Sequence, residues 1–160
     1  MLIREATADD WPHIWPFWHR IVAAGETYAW DPDTSEEDAR VLWMNPAKRV
    51  YVTEHDTGTV VASAYVTPNY GGPAARIANA GFMVDPDRAG RGTGRALAEH
   101  VLAAARADGY RGMVFNAVVE TNPAVKLWTS LGFTILGTVP DAFDHPRHGR
   151  VGLHVMHRAL

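Results

Sequence analysis

Apolar residues recur along the chain in two periods, which predict different elements. Spacings of three and four residues predict about four helices, at residues 8–23, after Thr34 to about Asn45, from the loop at 84–97 to about Gly109, and at 123–130. Runs rich in valine, isoleucine and aromatic residues predict six to seven strands, at residues 2–5, 49–54, 59–67, 77–84, 113–119, 133–138 and 151–157. The order β-α-α-β-β-β-α-β-α-β-β indicates an α/β fold with a mixed central sheet.

The first predicted helix carries an unusual number of aromatic side chains. Trp11, Trp15 and Trp18 follow the i, i+4, i+7 spacing of one helical face, so we expect this face to pack into the core. Thr7 with Asp10 has the spacing of a capping box where this helix begins. Thr34 and the glutamate three residues later repeat that signal before the second helix.

Composition limits the classes of protein to which the chain can belong. With 160 residues, 47% of them apolar, it is predicted to form one domain over residues 1–160. A net charge of -3 gives no general attraction to nucleic acid, and no apolar run suggests a membrane segment or signal peptide. The absence of cysteine excludes disulfides, cysteine metal ligands and a cysteine-bound acyl intermediate. We therefore expect a cytoplasmic protein without a metal, a membrane partner or a nucleic-acid partner.

The segment from Val84 to Leu97 has the pattern of a strand end, a loop and a helix start. It interleaves three glycines with three arginines, namely Gly90, Gly92, Gly94, Arg88, Arg91 and Arg95. A helix N-terminus offers unpaired N–H groups and about half a positive charge, and glycine lets an anion approach the backbone. The pattern therefore predicts a phosphate site.

Two common phosphate motifs are excluded by residue type. A P-loop requires Gly-Lys-Ser/Thr, which does not occur in this chain. The dinucleotide pattern Gly-x-Gly-x-x-Gly/Ala fails because Arg95 or Leu97 fills its last position.

The same segment resembles motif A of the GNAT family of N-acetyltransferases, which reads Arg/Gln-x-x-Gly-x-Gly/Ala at the start of a helix. Gly92 and Gly94 fill its glycine positions, whereas Ala89 stands at its first position. Residues 122–133, which end in Leu-Gly-Phe, resemble the family's motif B. Residues 25–37, Gly-Glu-Thr-Tyr-Ala-Trp followed by Asp-Pro-Asp-Thr-Ser-Glu-Glu, are similar to the amino-acid and phosphinothricin N-acetyltransferase branch.

The resemblance implies that acetyl-CoA lies where strands 77–84 and 113–119 separate, with its pyrophosphate on the glycine-rich loop. The cofactor contacts that it implies are Phe82, Met83, Val84, Gly90, Arg91, Gly92, Thr93, Gly94, Arg95, Asn122 and Trp128. Asn122 is equally well explained as a helix N-cap, and the two roles are compatible. Trp128 stands where many relatives have a tyrosine that protonates the leaving thiolate, so we expect it to form a wall of the site. Tyr28, Tyr65 or water could supply that proton instead.

The reaction implied by the resemblance also requires a base. An alkyl amine has a pKa of about 10 and must lose a proton before it attacks an acyl group. Glu26, in the loop after the first helix, is the first candidate, with a solvated loop carboxylate as the equal alternative, and Glu120, at a strand end, is the second. Asn79 occupies the position of a glutamate in some relatives and could orient a water molecule.

The acceptor site is predicted from the remaining aromatic residues. Phe17, Tyr28 and Trp30 lie off the core-facing stripe or in the following loop, and we expect them to bind the acceptor by stacking. Residues 141–148 are predicted as a loop between the last two strands, which is either a solvated loop or a lid that closes over the acceptor. The predicted enzyme transfers an acetyl group directly from acetyl-CoA to a primary amine of a small molecule, such as an amino acid or a xenobiotic. A non-catalytic acyl-CoA sensor and a protein or peptide N-acetyltransferase are the alternatives, and a homodimer is an option by analogy with the family.

Overall fold

A computed structural model describes all 160 residues, which form seven strands and four α-helices. The strands are β1 (Leu2–Glu5), β2 (Arg49–Glu54), β3 (Val60–Pro68), β4 (Ile77–Val84), β5 (Gly112–Val119), β6 (Thr134–His145) and β7 (Gly149–Ala159). The helices are α1 (Trp11–Ala24), α2 (Glu36–Trp43), α3 (Thr93–Ala107) and α4 (Ala124–Ser130). The sheet has the order β1-β2-β3-β4-β5-β7-β6, and only β4 and β5 are parallel neighbours. The predicted mixed α/β fold is confirmed.

The two predicted helix starts have different outcomes. At the first, the Thr7 N–H donates to Asp10 Oδ2 at 2.7 Å, and a short 3-10 helix at Ala8–Asp10 leads into α1. At the second, the cap is Ser35 rather than Thr34, because the Ser35 hydroxyl accepts the Asp38 N–H at 3.1 Å. The second helix therefore begins one residue later than the sequence suggested.

The helices cover the two faces of the sheet and create two apolar layers. Under α1 and α2, twelve buried side chains form a cluster that includes Trp11, Trp18 and Trp43. Under α3 and α4, seventeen buried side chains form the other cluster. Trp15 is half-buried and packs between Trp11 and Trp18, so the predicted tryptophan stripe faces the core as expected. No helix is both long and apolar enough to cross a membrane.

A gap opens in the middle of the sheet. β4 and β5 pair only at their first residues, Ile77 with Gly112 and Ala78 with Met113. Beyond that point β4 continues to pair with β3, and β5 continues with β7. The two parallel strands therefore separate toward their C-terminal ends, as the resemblance implied.

The C-terminal hairpin differs from the prediction. Residues 141–145 belong to β6 instead of a loop, and only residues 146–148 connect β6 to β7. The pairing shifts register between Val139 and Phe143, where Asp141 has a φ of 51°. Pro140 and this bulge break the alternation of side chains, so the sequence resembled a loop. The expected lid is therefore an ordered hairpin.

Candidate functional site

One edge of β4 is open where the sheet divides. The Asn69 N–H donates to the Ile77 carbonyl, and the Asp85 N–H donates to the Val61 carbonyl. In an antiparallel pair, the backbone N–H and carbonyl groups of every second residue of β4 therefore point toward β3. By this alternation, the backbone groups of Phe82 and Val84 point into the gap. Met83 instead directs its backbone toward β3 and its side chain into the core under α1, which corrects the expected contact between Met83 and the cofactor.

The gap opens into a cleft of about 300 Å³. Its walls are aromatic, amide and small side chains, and none of them is an aspartate, glutamate, lysine, arginine or histidine. The lining residues are Thr27, Tyr28, Ala29, Trp30, Tyr65, Asn79, Ala80, Gly81, Phe82, Phe115, Asn116, Ala117, Val118, Asn122, Ala124 and Trp128. A bound molecule would therefore meet neutral surroundings.

Two of the three predicted acceptor residues line this cleft. Tyr28 and Trp30 stack with ring centroids 4.9 Å apart, and Trp30 stacks on Trp18 at 5.5 Å. Phe17 is only 3% exposed and belongs to the core under α1, which corrects its expected role in the acceptor pocket. Phe17 does not share the helical spacing of Trp11, Trp15 and Trp18, so the sequence indicated that it lies off the core face. The buried face of α1 is wider than the tryptophan stripe and includes Phe17.

The Tyr28 hydroxyl bonds the open edge of β4. It donates to the Phe82 carbonyl at 2.7 Å and accepts the Phe82 N–H at 3.0 Å. Burial raises the pKa of the Tyr28 phenol, so the group stays protonated at neutral pH.

Asn79 lies where the two strands begin to separate. Its Nδ2 donates to the Val114 carbonyl of β5 at 2.9 Å, which bridges the strands beyond their last backbone pairing. Its Oδ1 accepts a long hydrogen bond of 3.4 Å from the Tyr65 hydroxyl. Asn79 is therefore the one predicted catalytic residue that lines the cleft.

The two predicted carboxylate bases do not line the cleft. Glu26 pairs with Arg147 of the β6–β7 turn at 3.3 Å. One oxygen of Glu120 accepts the Gly152 N–H at 2.7 Å. Each carboxylate therefore holds the C-terminal hairpin against the rest of the chain.

The glycine-rich loop keeps the space above its backbone open. Gly90 and Gly92 have φ values of 81° and 77°, and a Cβ at either position would meet no atom within 4 Å. The Ala96 N–H is the one that bonds the Gly92 carbonyl, so the preceding N–H groups have no partner within α3. Thr93 is buried, with its hydroxyl 3.4 Å from His55 Nε2, and Gly94 lies against Val84 of β4.

Two arginines beside this loop are free of ion pairs. Arg88 and Arg91 have no acidic partner, whereas Arg95 pairs with Glu99 at 3.7 Å and donates to the Ser130 hydroxyl at 2.7 Å. Asp87 is paired with Arg20 of α1 at 2.9 Å, and this guanidinium lowers the pKa of the Asp87 carboxyl. The acidic residue nearest the loop is therefore neutralised by α1.

The motif B residues form the far wall of the cleft. Trp128 packs with its ring centroid 4.9 Å from both Phe82 and Phe115. Asn122 Oδ1 accepts the Ala124 N–H at 2.9 Å, so it caps the start of α4 while also lining the cleft.

Sequence reasoning named Tyr65 only as a possible proton donor, and it did not identify Gly81 or Asn116, although all three line the cleft. Tyr65 faces Gly81 across the β3–β4 pairing, and a Cβ on Gly81 would lie 2.4 Å from the Tyr65 ring. Asn116 exchanges two hydrogen bonds with Asn69, at 3.1 and 2.7 Å. A polar residue within a buried strand was the available signal for Asn116, but the Tyr65–Gly81 contact depends on strand register.

Acetyl-CoA fits this donor set. The glycine-rich loop and the start of α3 offer backbone N–H groups and two unpaired arginines to a pyrophosphate. The open edge of β4 offers N–H and carbonyl groups of the kind that pair with an extended amide chain. No cluster of three or more acidic or histidine side chains is arranged to hold a metal ion.

Comparison with known proteins agrees with this geometry. A family model described as the acetyltransferase (GNAT) family matches residues 5–133. The N-acetyltransferase aca1 of Schizosaccharomyces pombe is 38% identical over 100 residues, which make up 61% of this chain and 48% of that protein. The chain thus spans about half the length of that curated relative.

Two solved structures share the fold across nearly the whole chain. A GCN5-related N-acetyltransferase from Kribbella flavida is 54% identical, with a TM-score of 0.96 over 99% of this chain and 97% of that one. A GNAT-superfamily phosphinothricin acetyltransferase from Sinorhizobium meliloti, in complex with acetyl-CoA, has a TM-score of 0.86 at 23% identity, over 99% and 88% of the two chains. With a family model that matches most of its length, this chain belongs to the acetyltransferase (GNAT) family.

Proposed function

We propose that this protein is an acetyl-CoA-dependent N-acetyltransferase that acts on a primary amine of a small molecule. The observation that carries the proposal is the neutral cleft where β4 and β5 separate, which has Tyr28 and Trp30 in its wall. The glycine-rich loop follows the C-terminal end of β4, where Gly94 lies against Val84. A donor bound along β4 and an acceptor bound against this wall would meet at the cleft.

The donor would be held mainly by backbone groups. The loop from Gly90 to Arg95 would bind the pyrophosphate, with charge from Arg88 and Arg91. Backbone groups of Phe82 and Val84 would bind the pantetheine arm and the acyl oxygen. Acetyl-CoA supplies an activated acetyl thioester, and an N–H donor on β4 would stabilise the negative charge that develops on its oxygen.

The acceptor would attack directly. A lone pair of the amine nitrogen forms the new bond to the acyl carbon, the carbon–sulfur bond breaks, and the electron pair leaves on sulfur. A thiol with a pKa of about 8.5 is a fair leaving group, so the thiolate can take its proton from water. Trp128 offers no acidic proton, and we propose that it serves as a wall of the donor site.

The amine proton would pass to water. We propose that Asn79, the predicted catalytic residue that lines the cleft, positions this water or the amine. Glu26, which lies next to Thr27 of the lining, and Glu120 would act from outside the cleft as secondary acceptors. This secondary role is supported by the ion pair of Glu26 with Arg147 and by the hydrogen bond of Glu120 to the Gly152 N–H, which already engage both carboxylates.

The aromatic wall supports a small acceptor. Tyr28 and Trp30 enclose one side of the cleft, and their stacked faces suit an acceptor with an apolar part, such as an amino acid or a xenobiotic amine. A peptide acceptor would need a groove that continues beyond this wall.

The experiment that tests the proposal is thiol release from acetyl-CoA in the presence of amino acids, polyamines, amine antibiotics and peptides. We expect turnover with a subset of the small amines and an acetylated amine as the product. Turnover with peptides alone would contradict the small-molecule proposal.

A second candidate function has one observation in its favour. Because no carboxylate or histidine lines the cleft, the chain would also suit a module that binds acyl-CoA without chemistry. Tight coenzyme binding with no turnover across the whole panel of amines would favour this sensor over the enzyme.

We also infer that two copies of the chain associate through β6. This strand is at one edge of the sheet and exposes three large apolar side chains, those of Ile135, Leu136 and Val139. An unpaired edge with exposed apolar groups is a surface that favours strand pairing with another chain.

A further inference from the structure

The Tyr28 hydroxyl is bonded to the backbone N–H of β4 that would receive the acyl oxygen in the proposed reaction. Both polar groups of Phe82 on the open edge of β4 are bonded to this one hydroxyl, the N–H at 3.0 Å and the carbonyl at 2.7 Å. Phe82 lies at the level of the cleft where the two strands have separated. A side chain from the α1–α2 connection therefore satisfies a strand edge that would otherwise receive a ligand.

A thioester oxygen and the Tyr28 hydroxyl would compete for the same donor. One N–H makes one short, nearly linear hydrogen bond, so the Phe82 N–H cannot serve both acceptors well. A carbonyl oxygen accepts hydrogen bonds but does not donate them, so it can replace the hydroxyl only at the Phe82 N–H. A thioether at the same position has no such oxygen and leaves the hydroxyl in place.

Tyr28 is connected to the acceptor wall and can carry a change to it. The residue lies in the connection between α1 and α2, which has no regular helix or strand at residues 26–35. Its ring stacks on Trp30 at 4.9 Å, and both rings line the cleft. Movement of the hydroxyl away from Phe82 would therefore reshape the surface that receives the amine.

We propose that Tyr28 determines donor specificity, because its hydroxyl stands in for the acyl oxygen at the Phe82 N–H and must be displaced by an acylated coenzyme. This inference rests on the proposed function. An acylated donor therefore binds less tightly by the free energy needed to displace the Tyr28 hydroxyl from the Phe82 N–H, whereas a donor without the carbonyl does not. The aromatic wall of Tyr28 and Trp30 then adopts the conformation that binds the amine only when an acyl group is present.

The test compares two coenzymes in wild type and in Tyr28→Phe, which keeps the ring and removes the hydroxyl. Acetyl-CoA carries the carbonyl, and S-ethyl-CoA has a methylene in its place with nearly the same size. We expect Tyr28→Phe to lower the Kd of acetyl-CoA by about 3- to 10-fold, the value of one hydrogen bond, and to leave the Kd of S-ethyl-CoA almost unchanged. Isothermal titration calorimetry measures both constants.

A matched control removes a neighbouring hydroxyl. Tyr65 also lines the cleft, but its hydroxyl reaches Asn79 and bonds no backbone group of β4. Tyr65→Phe should therefore leave the ratio of the two Kd values as in wild type. The inference is overturned if Tyr28→Phe weakens acetyl-CoA binding or shifts both coenzymes equally. If wild type bound neither coenzyme, the proposed function itself would fail, and the inference with it.

Discussion

Asp10 shows how much a single residue can do beyond its sequence signal. Its spacing from Thr7 predicted a helix start, and the Thr7 N–H does donate to it. The buried carboxylate also accepts two hydrogen bonds from Arg4, at 2.9 and 2.8 Å, and Arg4 bonds Glu54 of β2 as well. The start of α1 is thereby fixed to β1 and β2, which no local pattern indicates.

This network predicts a dependence of stability on pH. The hydrogen bonds from Arg4 lower the pKa of Asp10 below its usual value of about 3.9. The stabilisation is therefore complete above that value and is lost as the pH falls through the lower pKa of the folded state. Asp10→Asn should lower the free energy of unfolding by about 1–2 kcal/mol at neutral pH, with a smaller difference in acid.

Urea unfolding over a series of pH values measures this difference. Asp9→Asn is the matched control, because Asp9 is an exposed neighbour without a hydrogen-bond partner for its side chain, and it should behave as wild type. An Asp10→Asn difference that stayed constant down to the lowest pH would show that the charge of Asp10 does not carry the effect.

At the scale of elements, β4 combines two requirements. Its edge toward β5 must stay open for a ligand, and one of its faces must leave room for the Tyr65 ring of β3. Gly81 meets the second requirement, because the ring lies where a Cβ would be, at 2.4 Å. The strand is therefore shaped by a residue that has no side chain.

Gly81→Ala should force the Tyr65 ring out of its position. We expect the free energy of unfolding to fall by about 1–3 kcal/mol, the usual cost of overpacking a core. Gly71→Ala is the control, because a Cβ there meets nothing within 4 Å and the φ of -100° suits any residue. Equal stability of Gly81→Ala and wild type in urea unfolding would contradict this account.

The sequence predicted elements well where one local signal dominated. The seven strands and four helices were all anticipated, because their apolar periods are strong and the glycine-rich loop marks the start of α3. The extension of β6 to His145 was missed, because its pairing with β7 contains a bulge and its side chains are exposed rather than alternating. Exposure removes the periodic signal on which such predictions depend.

The site was predictable only in part for a similar reason. The conformation of the loop at 90–95 is determined by residues that are close in sequence, so its glycine and arginine pattern predicted it. The contacts of Tyr28 with Phe82 and of Asn79 with Val114 join residues that are 54 and 35 positions apart. The placement of Phe17 in the core and of Glu26 in an ion pair likewise depends on how whole elements pack.

At the scale of the whole molecule, the exposed edge of β6 predicts a dimer. Leu136 is 63% exposed on that strand, and Leu136→Lys would place a charge in the proposed interface. We expect wild type to sediment as a dimer and Leu136→Lys as a monomer. Val41→Lys is the matched control, since Val41 is 62% exposed but lies on α2, and it should remain dimeric. A monomeric wild type in analytical ultracentrifugation would refute the interface.

On the proposed function, the glycine-rich loop and the divided sheet hold acetyl-CoA. Calorimetric titration of acetyl-CoA into wild type, Gly92→Asp and Gly72→Asp tests this. Both glycines have positive φ and open space, at 77° and 52°, so the two variants share the backbone strain, but only Gly92 is at the start of α3. We expect binding to wild type and Gly72→Asp and a loss of at least about 100-fold in Gly92→Asp, because a carboxylate would face the pyrophosphate. Equal affinity of all three proteins would contradict the claim.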